Sequence, residues 1–180
     1  MINLILDTST DRCLLALAEE NRLIRSNIYH HKQNLSQDFL TNIQNLLSDV
    51  SPSHISIGIG PGSYTGTRIG VSVAISLSLA LSVPLLSFCS LLAFLPPSLS
   101  EGPFRLQAPS THSSALLLSA SFHQGAIESP SWTFLPKEQI PSSTFPISSE
   151  VNLPPLLTYL FQESQKNLFS EPKILYFPYQ

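Results

Sequence analysis

The run Ile55-Ser-Ile-Gly-Ile59, followed at once by Gly60-Pro-Gly-Ser-Tyr-Thr-Gly-Thr-Arg-Ile-Gly70, restricts the possible folds more than any other part of this chain. Ile55, Ile57 and Ile59 alternate with Ser56 and Gly58, the two-residue period of a strand. Gly60 and Gly62 permit tight or left-handed backbone, Pro61 stiffens the turn, and Thr65 is placed to cap a helix running from about Thr65 to Ser82. A strand, a glycine-rich turn and a helix in immediate succession belong to an α/β fold.

The helix is apolar on more than one side. Projected at about 100° per residue, Ile69, Val73, Leu77 and Leu81 form one row, and Val71, Ile75 and Leu79 form another. Gly66, Gly70, Ala74 and Ser78 make a ridge of small side chains, and Arg68, Ser72 and Ser76 take the remainder. Such a helix is covered on more than one side. The small ridge lets a second backbone come close, from the same chain or from a partner.

Around this centre the pattern reads β-β-β-α-β-α-β-α. Ile2 to Leu6, Leu14 to Ala18 and Leu23 to Tyr29 read as a three-stranded meander, with Glu19-Glu20-Asn21-Arg22 at one turn. A helix over Leu35 to Val50 carries Leu35, Phe39, Ile43, Leu46, Leu47 and Val50 on one stripe. Pro84 ends the second helix, Leu85 to Phe88 is a strand, and Ser90 is placed to cap a short helix over Leu91 to Leu95 that Pro96-Pro97 stops. Residues 1–97 thus form a first lobe, and 98–180 a smaller second one rich in proline and serine. In the second lobe Ala115 to Phe122 and Ala126 to Phe134 read as strands joined at Gln124-Gly125. Leu156 to Leu168 reads as a helix, and Lys173 to Phe177 as a last strand or tail.

Composition excludes several functions. The chain of 180 residues is 43% hydrophobic but only 12% charged, about half the globular norm of roughly 25%. The net charge is −3, whereas a protein gripping RNA by itself needs a basic excess for the phosphates, so any nucleic-acid role is expected to be indirect. Cys13 and Cys89 are too few for a disulfide framework or a metal site, and fit reduced thiols of a cytoplasmic protein. The opening Met1-Ile-Asn-Leu-Ile-Leu-Asp7 lacks the basic start of a signal peptide. No charge stands between Arg68 and Glu101, but recurring serines and Pro84 favour a buried helix and strand over a membrane span.

Chemistry has few places to sit. The glycine-rich loop opens a helix, so its amides are placed to cradle a phosphate; equally, it can simply turn the chain and present Ser63 and Tyr64 to a neighbour. It lacks the Lys-Ser/Thr ending of a Walker loop, and the meander before it is the wrong context for a dinucleotide fingerprint. Asp7-Thr8-Ser9 closes the first strand, where an acid can hold a metal–nucleotide complex, or where an Asx-type turn can join two strands. His30-His31 has no further ligands at workable spacing, and Ser63 has no nucleophile elbow.

The order of elements, the Asp-Thr-Ser turn and the glycine loop together resemble one half of an actin-like, ribonuclease H-like ATPase fold. The stretch Gly60 to Gly70 is similar to the Gly-Pro-Gly-Ser-Phe-Thr-Gly-x-Arg-Ile-Gly signature of the TsaB (YeaZ) family. Ile5-Leu-Asp-Thr-Ser-Thr10, His31-Lys-Gln-Asn-Leu35 and the Val83-Pro84 to Ser90-Leu91 segment resemble further family pieces in the same order, so the likeness spans about residues 2–95. The resemblance implies a scaffold subunit with no working site, no metal and no cofactor. It implies pairing, through the two N-terminal helices, with a TsaD-like catalytic subunit or with a second copy of itself. Through that complex it implies a TsaE-like ATPase partner and a part in threonylcarbamoylation of the tRNA adenosine beside the anticodon. On this chain the implied partner face is His31, Leu35, Phe39, Gly62, Ser63, Tyr64, Thr65, Gly66, Arg68, Gly70 and Ala74, and Asp7, Thr8 and Ser9 are a degenerate nucleotide turn. The second lobe departs from the family: Ala120-Ser-Phe-His-Gln-Gly125 stands where an Asp-Ala-Arg turn is usual. The alternative is an enzyme, a small actin-like ATPase or kinase, or a peptidase, using Asp7 and the 60–66 loop.

Overall fold

The computed structural model describes residues 1–30, 35–97, 99–108, 114–146, 148 and 150–166. Strands β1 (Ile2–Asp7), β2 (Arg12–Glu19) and β3 (Arg22–His30) form the meander, with Glu20 in the left-handed region at its second turn. Helix α1 (Leu35–Leu47), β4 (His54–Gly58), α2 (Tyr64–Leu81) and β5 (Leu85–Phe88) follow. The sheet order is β3-β2-β1-β4-β5, antiparallel across the meander and parallel from β1 through β4 to β5. This is the actin-like, ribonuclease H-like arrangement expected from the sequence.

The two-residue period of the strands assigns each face of this sheet. Leu4, Leu6, Cys13, Leu15, Leu17, Ile55 and Ile57 point to one side and are covered by Phe39, Ile43 and Leu46 of α1 and Val71 and Ala74 of α2. Ile5, Leu14, Ala16, Ala18, Leu86 and Phe88 point to the other side. There they meet a 3-10 turn (Ser90–Phe94), the second sheet and α3 (Leu153–Gln165). The second sheet has the order β8-β7-β6-β9, from β6 (Gly102–Gln107), β7 (Ser114–His123), β8 (Ala126–Pro136) and β9 (Phe145–Pro146). One continuous apolar layer therefore joins the second sheet to the back of the first.

Several boundaries differ from the sequence reading. Helix α1 stops at Leu47 rather than Val50, because Ser48 takes a left-handed conformation and the Val50 amide turns back to the Leu47 carbonyl. Ser63, not Thr65, caps α2: its Oγ accepts from the Gly66 amide at 3.1 Å. Ser90 does not cap the turn that follows it, since its hydroxyl is engaged by the Gly60 amide. Helix α3 begins at Leu153, three residues before the expected start, because Pro154 and Pro155 occupy its first turn, where no intrahelical donor is needed. Strands β6 and β9 were not foreseen, as their prolines mask the period. The end of the expected last helix, Leu168, and the segment 173–177 lie outside the described residues. The hairpin at Gln124-Gly125 is as expected, with positive φ at both residues, as a two-residue turn of this hand requires.

Candidate functional site

The C-terminal end of β1 and the start of α2 meet in one tightly closed cluster. The Asp7 carboxyl lies against the Cα of Gly58 on the neighbouring strand, so a β-carbon at position 58 would overlap it. Its Oδ1 accepts the Ser9 amide at 2.8 Å, an Asx-type turn. Its Oδ2 and the Ser9 hydroxyl are both enclosed, and neither makes a hydrogen bond of ordinary geometry among the described residues. Burial raises the Asp7 pKa above the usual carboxyl value, and the Ser9 amide, with the Ser9 and Ser90 hydroxyls, pulls it only part of the way back.

Beyond Asp7 the turn presses onto the glycine loop. Gly62 sits on the Ser9 carbonyl, Gly66 on the Thr8 carbonyl and Gly70 on the Thr8 hydroxyl, each so close that a β-carbon would have to displace something. Thr8 Oγ1 donates to the Gly66 carbonyl at 2.7 Å. Four amides of the loop and the first helical turn are spent inside the cluster as well. Gly60 N donates to Ser90 Oγ at 2.9 Å and Ser63 N to the Ser9 carbonyl at 2.5 Å, while Gly66 N and Thr67 N go to the capping Ser63. The Gly60–Pro61 bond is cis. Thr8 and Ser9 thus fill the space against the loop, and the amides of Gly60, Ser63, Gly66 and Thr67 are bonded within the chain. No group of three or more His, Cys, Asp and Glu side chains able to hold a metal occurs among the described residues.

This geometry corrects part of the expected partner face. Gly66, Gly70 and Ala74 are buried against the chain's own sheet, and Phe39 is fully enclosed under α1, so none of these four presents a surface to a partner. The small ridge serves close approach of α2 to the β1 turn. His31 lies outside the described residues, and Leu35 is placed in α1 without a described side chain. Gly62, Ser63, Tyr64, Thr65 and Arg68 are exposed, as that reading requires. Arg68 Nη1 donates to the Tyr64 hydroxyl at 2.6 Å, and its guanidinium stands 5.1 Å from the ring centroid of the same tyrosine.

The expected partner face covers only the head of the outward side of α2 and leaves out Ser72, Ile75 and Leu79. Tyr64, Arg68, Ser72, Ile75 and Leu79 follow one another at helical spacing on the side away from the sheet, and Leu79 is 75% exposed. Leu81 and, on α1, Leu40 are also exposed apolar residues. The signal that finds this row is simply the face opposite the glycines. By length and composition α2 could cross a membrane; in the folded chain it lies along the sheet with its small side chains inward.

A family model described as "TsaD: tRNA N6-adenosine threonylcarbamoyltransferase" matches residues 25–121, more than half of the chain. The chain belongs to the TsaD family. Two solved structures from Pseudomonas aeruginosa share the fold of this TsaD-family chain over nearly its whole length. One is an uncharacterized protein with similarity to peptidase YEAZ, with a TM-score of 0.79 and 21% identity over 94% of each chain. The other is YeaZ, with a TM-score of 0.78 and 20% identity, covering 94% of this chain and 95% of that one. Both agree with the likeness carried by Gly60 to Gly70. No curated protein sequence matches the chain.

Proposed function

We propose that this chain is the non-catalytic, YeaZ-like subunit that supports a TsaD-type catalytic subunit in threonylcarbamoylation of tRNA. The observation that carries the reading is the double use of α2. Its inner face packs on the Thr8–Ser9 turn so closely that Gly62, Gly66 and Gly70 have no room for a β-carbon, while its outer face exposes Tyr64, Ile75 and Leu79 with Arg68 as the helix's one charge. Interfaces of about 1,600 Å² have charge-poor centres anchored by a few aromatic, aliphatic and arginine side chains. The partner residues proposed are Ser63, Tyr64, Thr65 and Arg68, joined by Ile75, Leu79 and Leu40. A TsaE-like ATPase joins through the complex, tRNA is met only through the partner, and the chain pairs with itself when the partner is absent.

The test is co-purification with a TsaD-type subunit. Leu79→Glu with Ile75→Glu is expected to leave the melting temperature within a few degrees and to weaken the complex at least tenfold. A folded double variant that binds as wild type overturns the reading. So does tight, magnesium-dependent ATP binding by the isolated chain that is lost in Asp7→Ala, the outcome an ATPase or kinase predicts.

A further inference from the structure

The outer face of the second sheet carries a second, unrelated feature. A groove of about 550 Å³ opens between β6, β7 and the turn that leads into β9. Phe104 and Leu106 of β6 are in the core, so Arg105 between them projects outward, paired across the ladder with Ser119. The turn Pro141–Thr144 is closed by the Thr144 amide donating to the Pro141 carbonyl at 3.1 Å. The short parallel pairing of Leu106 with Phe145 then fixes that turn beside Arg105. Ser142, Ser143 and Thr144 face the arginine's strand across the groove, and exposed Phe145 lines it.

Two groups here are unmet. Arg105 makes no ion pair or hydrogen bond among the described residues. The Thr144 Oγ1 is enclosed and also has no hydrogen-bond partner among them. No lining residue is acidic, so the hollow is locally positive in a chain of net charge −3. A guanidinium offers a planar fork of donors that matches the oxygens of a carboxylate or phosphate, and hydroxyls on both flanks complete such a site.

We propose that this groove binds a small organic anion, its carboxylate or phosphate held by Arg105 and the Ser119, Ser142 and Ser143 hydroxyls and its apolar body laid on Phe145. None of the lining residues belongs to α1, α2 or the 60–66 loop, so the site stands or falls apart from the scaffold reading. The experiment titrates the full chain with benzoate, phenyl phosphate and inorganic phosphate, following amide shifts by NMR. Saturable shifts are expected at residues 104–105, 119–120 and 142–145, with phenyl phosphate or benzoate binding more tightly than inorganic phosphate. Arg105→Gln should weaken the better probe at least about tenfold, as loss of a charge-assisted pair does, and Ser119→Ala should weaken it less. Shifts that do not saturate, binding unchanged in folded Arg105→Gln, or inorganic phosphate binding as tightly as phenyl phosphate would each overturn the proposal.

Discussion

Gly70→Ala, taken alone and together with Thr8→Ala, tests the packing of the Asp7–Ser9 turn onto α2. A β-carbon at position 70 would come under 3.0 Å from Thr8 Oγ1, while Ile57 Cδ1 at 3.4 Å and Thr8 Cβ at 3.5 Å leave it room. Only the hydroxyl is in the way, and it is held by its bond to the Gly66 carbonyl. Alanine gains about 1 kcal/mol of helix propensity over glycine. Against this stand overpacking of about 1–3 kcal/mol and about 1 kcal/mol for the displaced hydrogen bond. The clash wins, and Gly70→Ala is expected to cost about 2 kcal/mol, or about 4–8 °C in melting temperature for a chain of this length. Thr8→Ala loses the same bond and a buried methyl, again about 2 kcal/mol. In the double variant the new methyl enters the space that Oγ1 left. The pair should then cost only about 1–2 kcal/mol instead of the additive ~4, a coupling of about 2 kcal/mol by urea unfolding. A coupling under about 0.5 kcal/mol, or a Gly70→Ala chain more stable than wild type, would refute the close approach and return the ridge to the surface.

Two further outcomes follow from the same cluster. Because burial raises the folded-state pKa of Asp7 above its ordinary 3.8, the folded chain keeps a proton that the unfolded chain releases. Its contribution is fully present below pH 3.8 and is lost as pH rises toward and through the folded value. Asp7→Asn should abolish this decline and exceed wild type in stability at neutral pH, with the advantage vanishing in acid; a pH-independent difference in urea midpoints would contradict it. The thiols of Cys89, pushed by burial up to about 12, and Cys13, up to about 11, should react with iodoacetamide at pH 8 at least about a hundredfold more slowly than in the unfolded chain. Stoichiometric labelling of the native protein would count against the enclosed positions.

Local chemistry made much of the stretch from β1 to β5 legible. The isoleucine alternation over 55–59 marks β4, the stripe Phe39, Ile43 and Leu46 marks the inner side of α1, and Gly60 to Gly70 marks the turn into α2. These signals are intrinsic to short stretches, because side-chain period follows backbone geometry. Strands β6 and β9 were not legible. Pro103 and Pro146 interrupt their pattern, and their pairing with β7 and with each other comes from residues distant in sequence.

The sequence by itself determined the family, the α/β order and the presence of a helix apolar on more than one side. Its periodicity could say that α2 has a small ridge and two apolar rows; it could not say which of these meets the chain's own sheet. That was decided by the Thr8–Ser9 turn, more than fifty residues earlier than α2, whose carbonyls and hydroxyl fit only against glycine. Once Gly66 and Gly70 are drawn inward, Tyr64, Ile75 and Leu79 must face out. The same contact that closes the turn onto the glycine loop thereby turns the apolar row outward, a coupling that resides in the packing of two distant segments and in neither alone.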